Sequence, residues 1–132
     1  MSNGEGLIFL ISQPRAGSTL LQRILGTHSA IATSSEPWLM LHPLSAWRKG
    51  ALAADYDAEL WRMGVSSFFE SVGLEHHDFI EAVRRMCAPL YERARKASGA
   101  QFFLDKTPRY YLITRQLKEV FPKARFVVLL LL

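Results

Sequence analysis

The feature that most constrains this chain is the stretch Gly6 to His28, GLIFLISQPRAGSTLLQRILGTH. Leu7 to Ile11 is an unbroken run of strand-forming apolar residues, the pattern of a strand covered on both faces. Ser12-Gln13-Pro14-Arg15-Ala16-Gly17 interrupts it with turn residues. Ser18 and Thr19 then open a segment that sets Leu20, Leu21, Ile24 and Leu25 on one helical face, closed by Gly26. A strand, a tight loop and a helix start turn several backbone N–H groups and the positive helix end onto one point. Arg15 adds a permanent charge with a planar fork of donors, and Ser18 and Thr19 add hydroxyls. Such a site takes an anion, and a phosphate fits it best.

The nearest general pattern is the nucleotide-binding P-loop, G-x-x-x-x-G-K-[ST], whose lysine reaches the terminal phosphates and whose last hydroxyl holds magnesium. Aligned on Gly17, this chain has Ser12 in place of the first glycine and Ser18 in place of the lysine, and keeps Thr19. The cation sits inside the loop instead, at Arg15.

The 132 residues are enough for one domain with a real core, and 49% hydrophobic against 21% charged residues marks a globular chain rather than a disordered one. Sixteen basic and 12 acidic residues leave a formal charge of +4, a mild excess that suits a polyanionic ligand. No block of like charge and no interleaving of aromatic with basic residues points to nucleic acid. The single cysteine, Cys87, excludes an internal disulfide and lies on the apolar side of a predicted helix. The N-terminus is polar and glycine-rich, and no run reaches the ~18–20 apolar residues that span a bilayer. The expectation is a soluble, cytoplasmic protein without a membrane partner.

Further along, Thr27 to Ser35 reads as a loop, and Ser35-Glu36-Pro37-Trp38 as a helix opening with Pro37 in the first turn. Asp57 to Val72 and Asp78 to Ser98 carry apolar residues three and four apart, two amphipathic helices, with Pro89 expected to kink or end the second. Lys49 to Asp55 reads as their connection to what precedes. Gln101 to Leu104 is a second apolar strand. Thr107-Pro108 reads as the start of a helix reaching Pro122, and Arg125 to Leu132 as a third strand. Two strand–helix units and a further strand imply an α/β fold: a P-loop-like parallel sheet with flanking helices and a helical insertion over about 38–98. Residues 1–132 read as one partial domain, since the sequence stops within an apolar strand.

Ligands of open α/β sheets lie beyond the carboxyl ends of the strands. Arg15 and Lys106 both follow such ends, and Glu36 follows the first helix, so two cations and one carboxylate can share that edge. His76 and His77 are adjacent, diverge on a helix and make a poor metal pair.

PRAGSTLL resembles the 5′-phosphosulfate loop of the sulfotransferases that use PAPS (3′-phosphoadenosine 5′-phosphosulfate), in the form found in their tyrosylprotein and bacterial-type branch. SSEPWLM is similar to that family's S-x-E-P segment, FFLDKTPRYY to its D-K-[TN]-P segment, and LKEVFPKARFVVLL to the helix and strand before its last motif. The resemblance runs from Leu7 to about Leu130. It implies in-line transfer of a sulfuryl group from PAPS to a hydroxyl acceptor, releasing adenosine 3′,5′-bisphosphate, with no metal. It further implies that Arg15, Ala16, Gly17, Ser18 and Thr19 bind the 5′-phosphosulfate and that Arg15 adds catalytic charge. Glu36 would act as base, and Lys106 would contact the cofactor and stabilise the leaving group. The family's R-[DN]-P and serine, which grip the 3′-phosphate, have no counterpart after Val128, which leaves the activity of these residues open. Two other readings stay open: a magnesium-dependent P-loop kinase or NTPase, and a nucleotide-binding fragment without catalysis. Tyrosine, sugar, lipid and small-molecule acceptors all fit, and the oligomeric state is not legible.

Overall fold

The computed structural model describes residues 3–48 and 54–131; most of the connection expected over 49–55 lies outside them, as does Leu132. Four strands, β1 (Leu7–Ser12), β2 (Ile31–Thr33), β3 (Phe102–Lys106) and β4 (Arg125–Leu129), form one sheet in the order β2-β3-β1-β4. Every pairing is parallel. Helices α1 (Ser18–Gly26), α2 (Leu41–Ser45), α3 (Ala58–Val72), α4 (His76–Ala97) and α5 (Thr114–Val120) accompany it, with a 3-10 turn at Tyr110–Leu112. This is the α/β class with a parallel sheet that the alternating pattern implies. Among the described residues no helix is long and apolar enough to cross a membrane.

All six residues of β1 are buried, because successive side chains feed opposite faces of the sheet. Leu7, Phe9 and Ile11 join the larger core with α4, α5 and the 3-10 turn, whereas Ile8 and Leu10 pack with Leu104 and the Leu21 and Leu25 face of α1. The fully buried Phe9 ring meets those of Tyr91, Tyr110, Phe121 and Phe126 at centroid distances of 5.5–6.1 Å. A hole there would cost about 3–5 kcal/mol.

Several local expectations give way to tertiary contacts. Within the loop expected over 27–35 lies β2, which pairs with β3 from Ile31↔Phe102 to Thr33↔Leu104. Three residues in a small, polar setting are too short a run to betray a strand. Gly26 is the last residue of α1 rather than its stop; a Cβ there would stand 3.0 Å from Thr33 Cγ2, so the glycine admits β2 to the helix. Residues 35–38 do not open a helix, since α2 starts only at Leu41. The proline at 37 disfavours helical backbone at Glu36, and the Trp38 N–H is held by Thr107 Oγ1 at 3.2 Å. Thr107 for the same reason caps no helix, and α5 begins at Thr114. Helix α4 passes through Pro89 without interruption. Its Arg85, whose carbonyl loses a donor there, is exposed to water. The helix also starts two residues early, at His76, on a capping box made by Glu75 and Asp78.

Cys87 sits in the α4 face of the core, fully shielded, and burial pushes its thiol up to about 11 from the ordinary 9.0. The raised value means that folding favours the thiol over the thiolate. Its contribution to stability is therefore complete below pH 9.0 and is lost as pH rises toward 11. At pH 8, Cys87 is expected to react with Ellman's reagent only as fast as the protein unfolds; reaction at the rate of a free thiol would place it outside the core.

Candidate functional site

The sheet order sets the site. Strand β3 lies between β1 and β2, so its last residue, Lys106, has the loop after β1 on one side and the segment after β2 on the other. Thr33 is tied down where β2 ends: its hydroxyl donates to Leu104 O at 2.9 Å and accepts from Gln22 Nε2 at 2.8 Å. The same Gln22 amide donates to Ser34 O at 2.8 Å. Two residues later the chain delivers Glu36, whose Oε1 accepts from Lys106 Nζ at 2.6 Å. The Lys106 side chain is only 3% exposed, and its ammonium also donates to Thr19 Oγ1 at 3.4 Å. A cation that deep needs such acceptors, because stripping water from it costs several kcal/mol.

On the other side of Lys106, the chain turns sharply between Ser12 and Ser18. Ala16 N–H donates to Gln13 O at 3.3 Å, and both Arg15 (φ 58) and Gly17 (φ 91) take left-handed backbone. Gly17 is the natural residue for that region, while Arg15 is strained in it, a combination that concentrates at ligand-binding loops. Gly17 caps α1 without a side chain, so the N–H groups of Ser18, Thr19 and Leu20 have no carbonyl one turn back within the helix. Arg15, Gly17, Ser18, Thr19, Glu36 and Lys106 line one cavity of about 330 Å³. Ala16 shapes the turn but does not line it.

A second cavity, of about 550 Å³, opens on the β2 side and is lined by Gln22, Arg23, Ser35 and Trp38. Thr19, Glu36 and Lys106 belong to both cavities and form the wall between them. Six of the seven residues singled out from the sequence thus line one compartment, and three of those six face two.

Beneath the wall is a group the sequence reading left unassigned. The Asp105 carboxylate is fully buried and accepts from Tyr91 OH at 2.5 Å, Tyr110 OH at 2.9 Å and Thr107 Oγ1 at 2.9 Å. Burial raises its pKa above the ordinary carboxylate value, against the pull of the three hydroxyls. Burial and then the Asp105 charge push both tyrosine hydroxyls up as well. An aspartate at the end of an apolar strand was the available signal, since a charge there requires partners. Nothing in the sequence singles out Gln22, a polar residue inside the first helical segment. Nothing local marked the left-handed backbone of Trp38 (φ 58).

The model of the sulfotransferase family matches residues 8–130, and the chain belongs to that family. It is 32% identical over 124 residues to nodulation protein NoeE of Sinorhizobium fredii, covering 94% of this chain and 28% of that protein. The fold is similar to a sulfotransferase domain from the curacin biosynthetic pathway, with a TM-score of 0.54 and 24% identity over 95% of this chain and 46% of the other. The chain therefore spans less than half the length of the relatives it matches.

A Cβ added at Gly17 would meet nothing within 4 Å, so only backbone strain opposes a side chain there. Gly17→Ala is expected to lower stability by about 1–2 kcal/mol in urea unfolding. An unchanged midpoint would mean that the loop is not held in its left-handed form.

Proposed function

We propose that this protein transfers a sulfuryl group from PAPS to an acceptor hydroxyl, and that the reacting atoms meet at the Lys106–Glu36 wall. The observation that carries this reading is the sharing of Thr19, Glu36 and Lys106 by two cavities, one floored by the anion-binding loop and one open on the β2 side. Donor and acceptor can each hold a cavity and touch the same three side chains.

The loop side suits a 5′-phosphosulfate: first-turn N–H groups of α1, the hydroxyls of Ser18 and Thr19, and the guanidinium of Arg15 are all donors. Bound PAPS supplies the sulfuryl group: the acceptor oxygen bonds to sulfur as the sulfur bond to the 5′-phosphate oxygen breaks, releasing adenosine 3′,5′-bisphosphate. Glu36, a third exposed, takes the proton of the acceptor hydroxyl. Lys106 offsets the charge that grows on the departing phosphate oxygen, and Arg15 adds a second cation. Chemistry of this kind draws on position and charge more than on covalent help from the protein. The β2-side cavity, with Trp38, Arg23 and serine and threonine hydroxyls, is the acceptor's place. The lone free thiol of Cys87 suits a reducing compartment, and we place the reaction in the cytoplasm.

Titration calorimetry with adenosine 3′,5′-bisphosphate and with ATP, each in magnesium and in EDTA, tests the reading. Magnesium-independent binding of the bisphosphate, in preference to ATP, is expected. Magnesium-dependent ATP binding would favour a P-loop kinase or NTPase instead. Arg15→Gly is expected to weaken bisphosphate binding by about ten- to a hundredfold without loss of stability, because glycine relieves the left-handed strain. Glu36→Gln should keep bisphosphate affinity and lower turnover of PAPS by about a hundredfold or more; unchanged turnover would remove Glu36 as base.

A further inference from the structure

The segment that carries Glu36 is held in an unfavourable shape. Trp38 adopts φ 58, a backbone region that a bulky side chain avoids, and the residue is 46% exposed, so core packing does not hold it there. Two backbone hydrogen bonds do: Trp38 N–H donates to Thr107 Oγ1 at 3.2 Å, and Met40 N–H donates to Tyr110 OH at 3.0 Å. Both acceptors are hydroxyls that in turn donate to one carboxylate, Thr107 to Asp105 Oδ1 and Tyr110 to Asp105 Oδ2, each at 2.9 Å.

The polarity of this arrangement follows from the carboxylate. An ionised aspartate only accepts, so each neighbouring hydroxyl spends its single proton on it and turns a lone pair outward. Those lone pairs face the amides of Trp38 and Met40. Tyr91, donating from α4 to Asp105 Oδ2 at 2.5 Å, completes the set and ties the helical layer to it.

We infer that Asp105 is a positioning residue: through the hydroxyls of Thr107 and Tyr110 it clamps the backbone at Trp38 and Met40, and so sets Glu36 against Lys106. The inference rests on the sulfuryl-transfer reading for its consequence in catalysis, but not for the clamp itself. Asp105 and Lys106 are consecutive on β3 and point to opposite faces, so one strand end holds the base-bearing segment with one side chain and meets its carboxylate with the next.

Thr107→Val removes the acceptor of the Trp38 amide with little change of shape, Thr107→Ser keeps it, and Tyr110→Phe removes the acceptor of the Met40 amide. Amide hydrogen exchange, bisphosphate titration and kinetics of bisphosphate release from PAPS, with 4-nitrophenol as probe acceptor, would be read on the protein and these variants. In Thr107→Val, exchange at Trp38 is expected to rise at least about tenfold and kcat to fall by a similar factor, with bisphosphate affinity and KM for PAPS unchanged. Thr107→Ser should restore both. Tyr110→Phe should release Met40 with the same fall in kcat, and carries the test if Thr107→Val does not fold. Unchanged exchange at Trp38 and Met40 would overturn the clamp, as would faster exchange with kcat intact. If the unmodified protein neither binds the bisphosphate nor consumes PAPS, the sulfuryl-transfer reading fails, and exchange at the two amides still decides whether the clamp exists.

Discussion

The carboxyl edge of this sheet is organised around a buried negative charge. Among the described residues, no cation hydrogen-bonds to Asp105; hydroxyls from α4, from the 3-10 turn and from the end of its own strand replace the water it gave up. The exchange is incomplete, since burial still raises its pKa. A buried charge met only by dipoles is intolerant of disorder: lose one hydroxyl and the desolvation cost is uncovered. Three parts of the chain are thereby pinned to one point, and the segment bearing Glu36 is attached through two of them.

The topology then converts a structural point into a chemical one. Because β3 is flanked by β1 and β2, the polypeptide leaving each neighbour must turn beside Lys106. One turn lines the loop-side cavity and the other brings a carboxylate. Gln22 links them, reaching from α1, the helix that the loop begins, to Thr33 and Ser34 at the end of β2. The loop, the helix and the carboxylate-bearing segment are thus one hydrogen-bonded unit.

How much of this could be read beforehand divides along a physical line. The loop after Leu7–Ile11 was legible because everything that makes it is contiguous: an apolar strand, turn residues, hydroxyls opening a helix. Long amphipathic periodicity gave α3 and α4 to within two residues. Strand β2 was hidden because three residues carry no period, and its stability comes from pairing with Phe102–Leu104, about seventy positions away. Trp38 and Thr107 misled for the same reason. Each has a strong local preference, yet they bond to each other across 69 positions, and that bond overrides both preferences. Family resemblance located Glu36 and Lys106, but only the fold sets them 2.6 Å apart.

The two cations of the loop-side cavity differ most in their access to water. Arg15 is exposed on the turn, whereas Lys106 is 3% exposed behind Glu36 and Thr19. Dissolved salt screens the first far more than the second, since its reach extends only about 8–10 Å at physiological strength. On the proposed reading, Arg15 would therefore act on the rate at which an anion is met, and that rate would fall as ionic strength rises. Lys106 would act after the anion had shed its water, on how long it stays, and rising salt would barely weaken that hold.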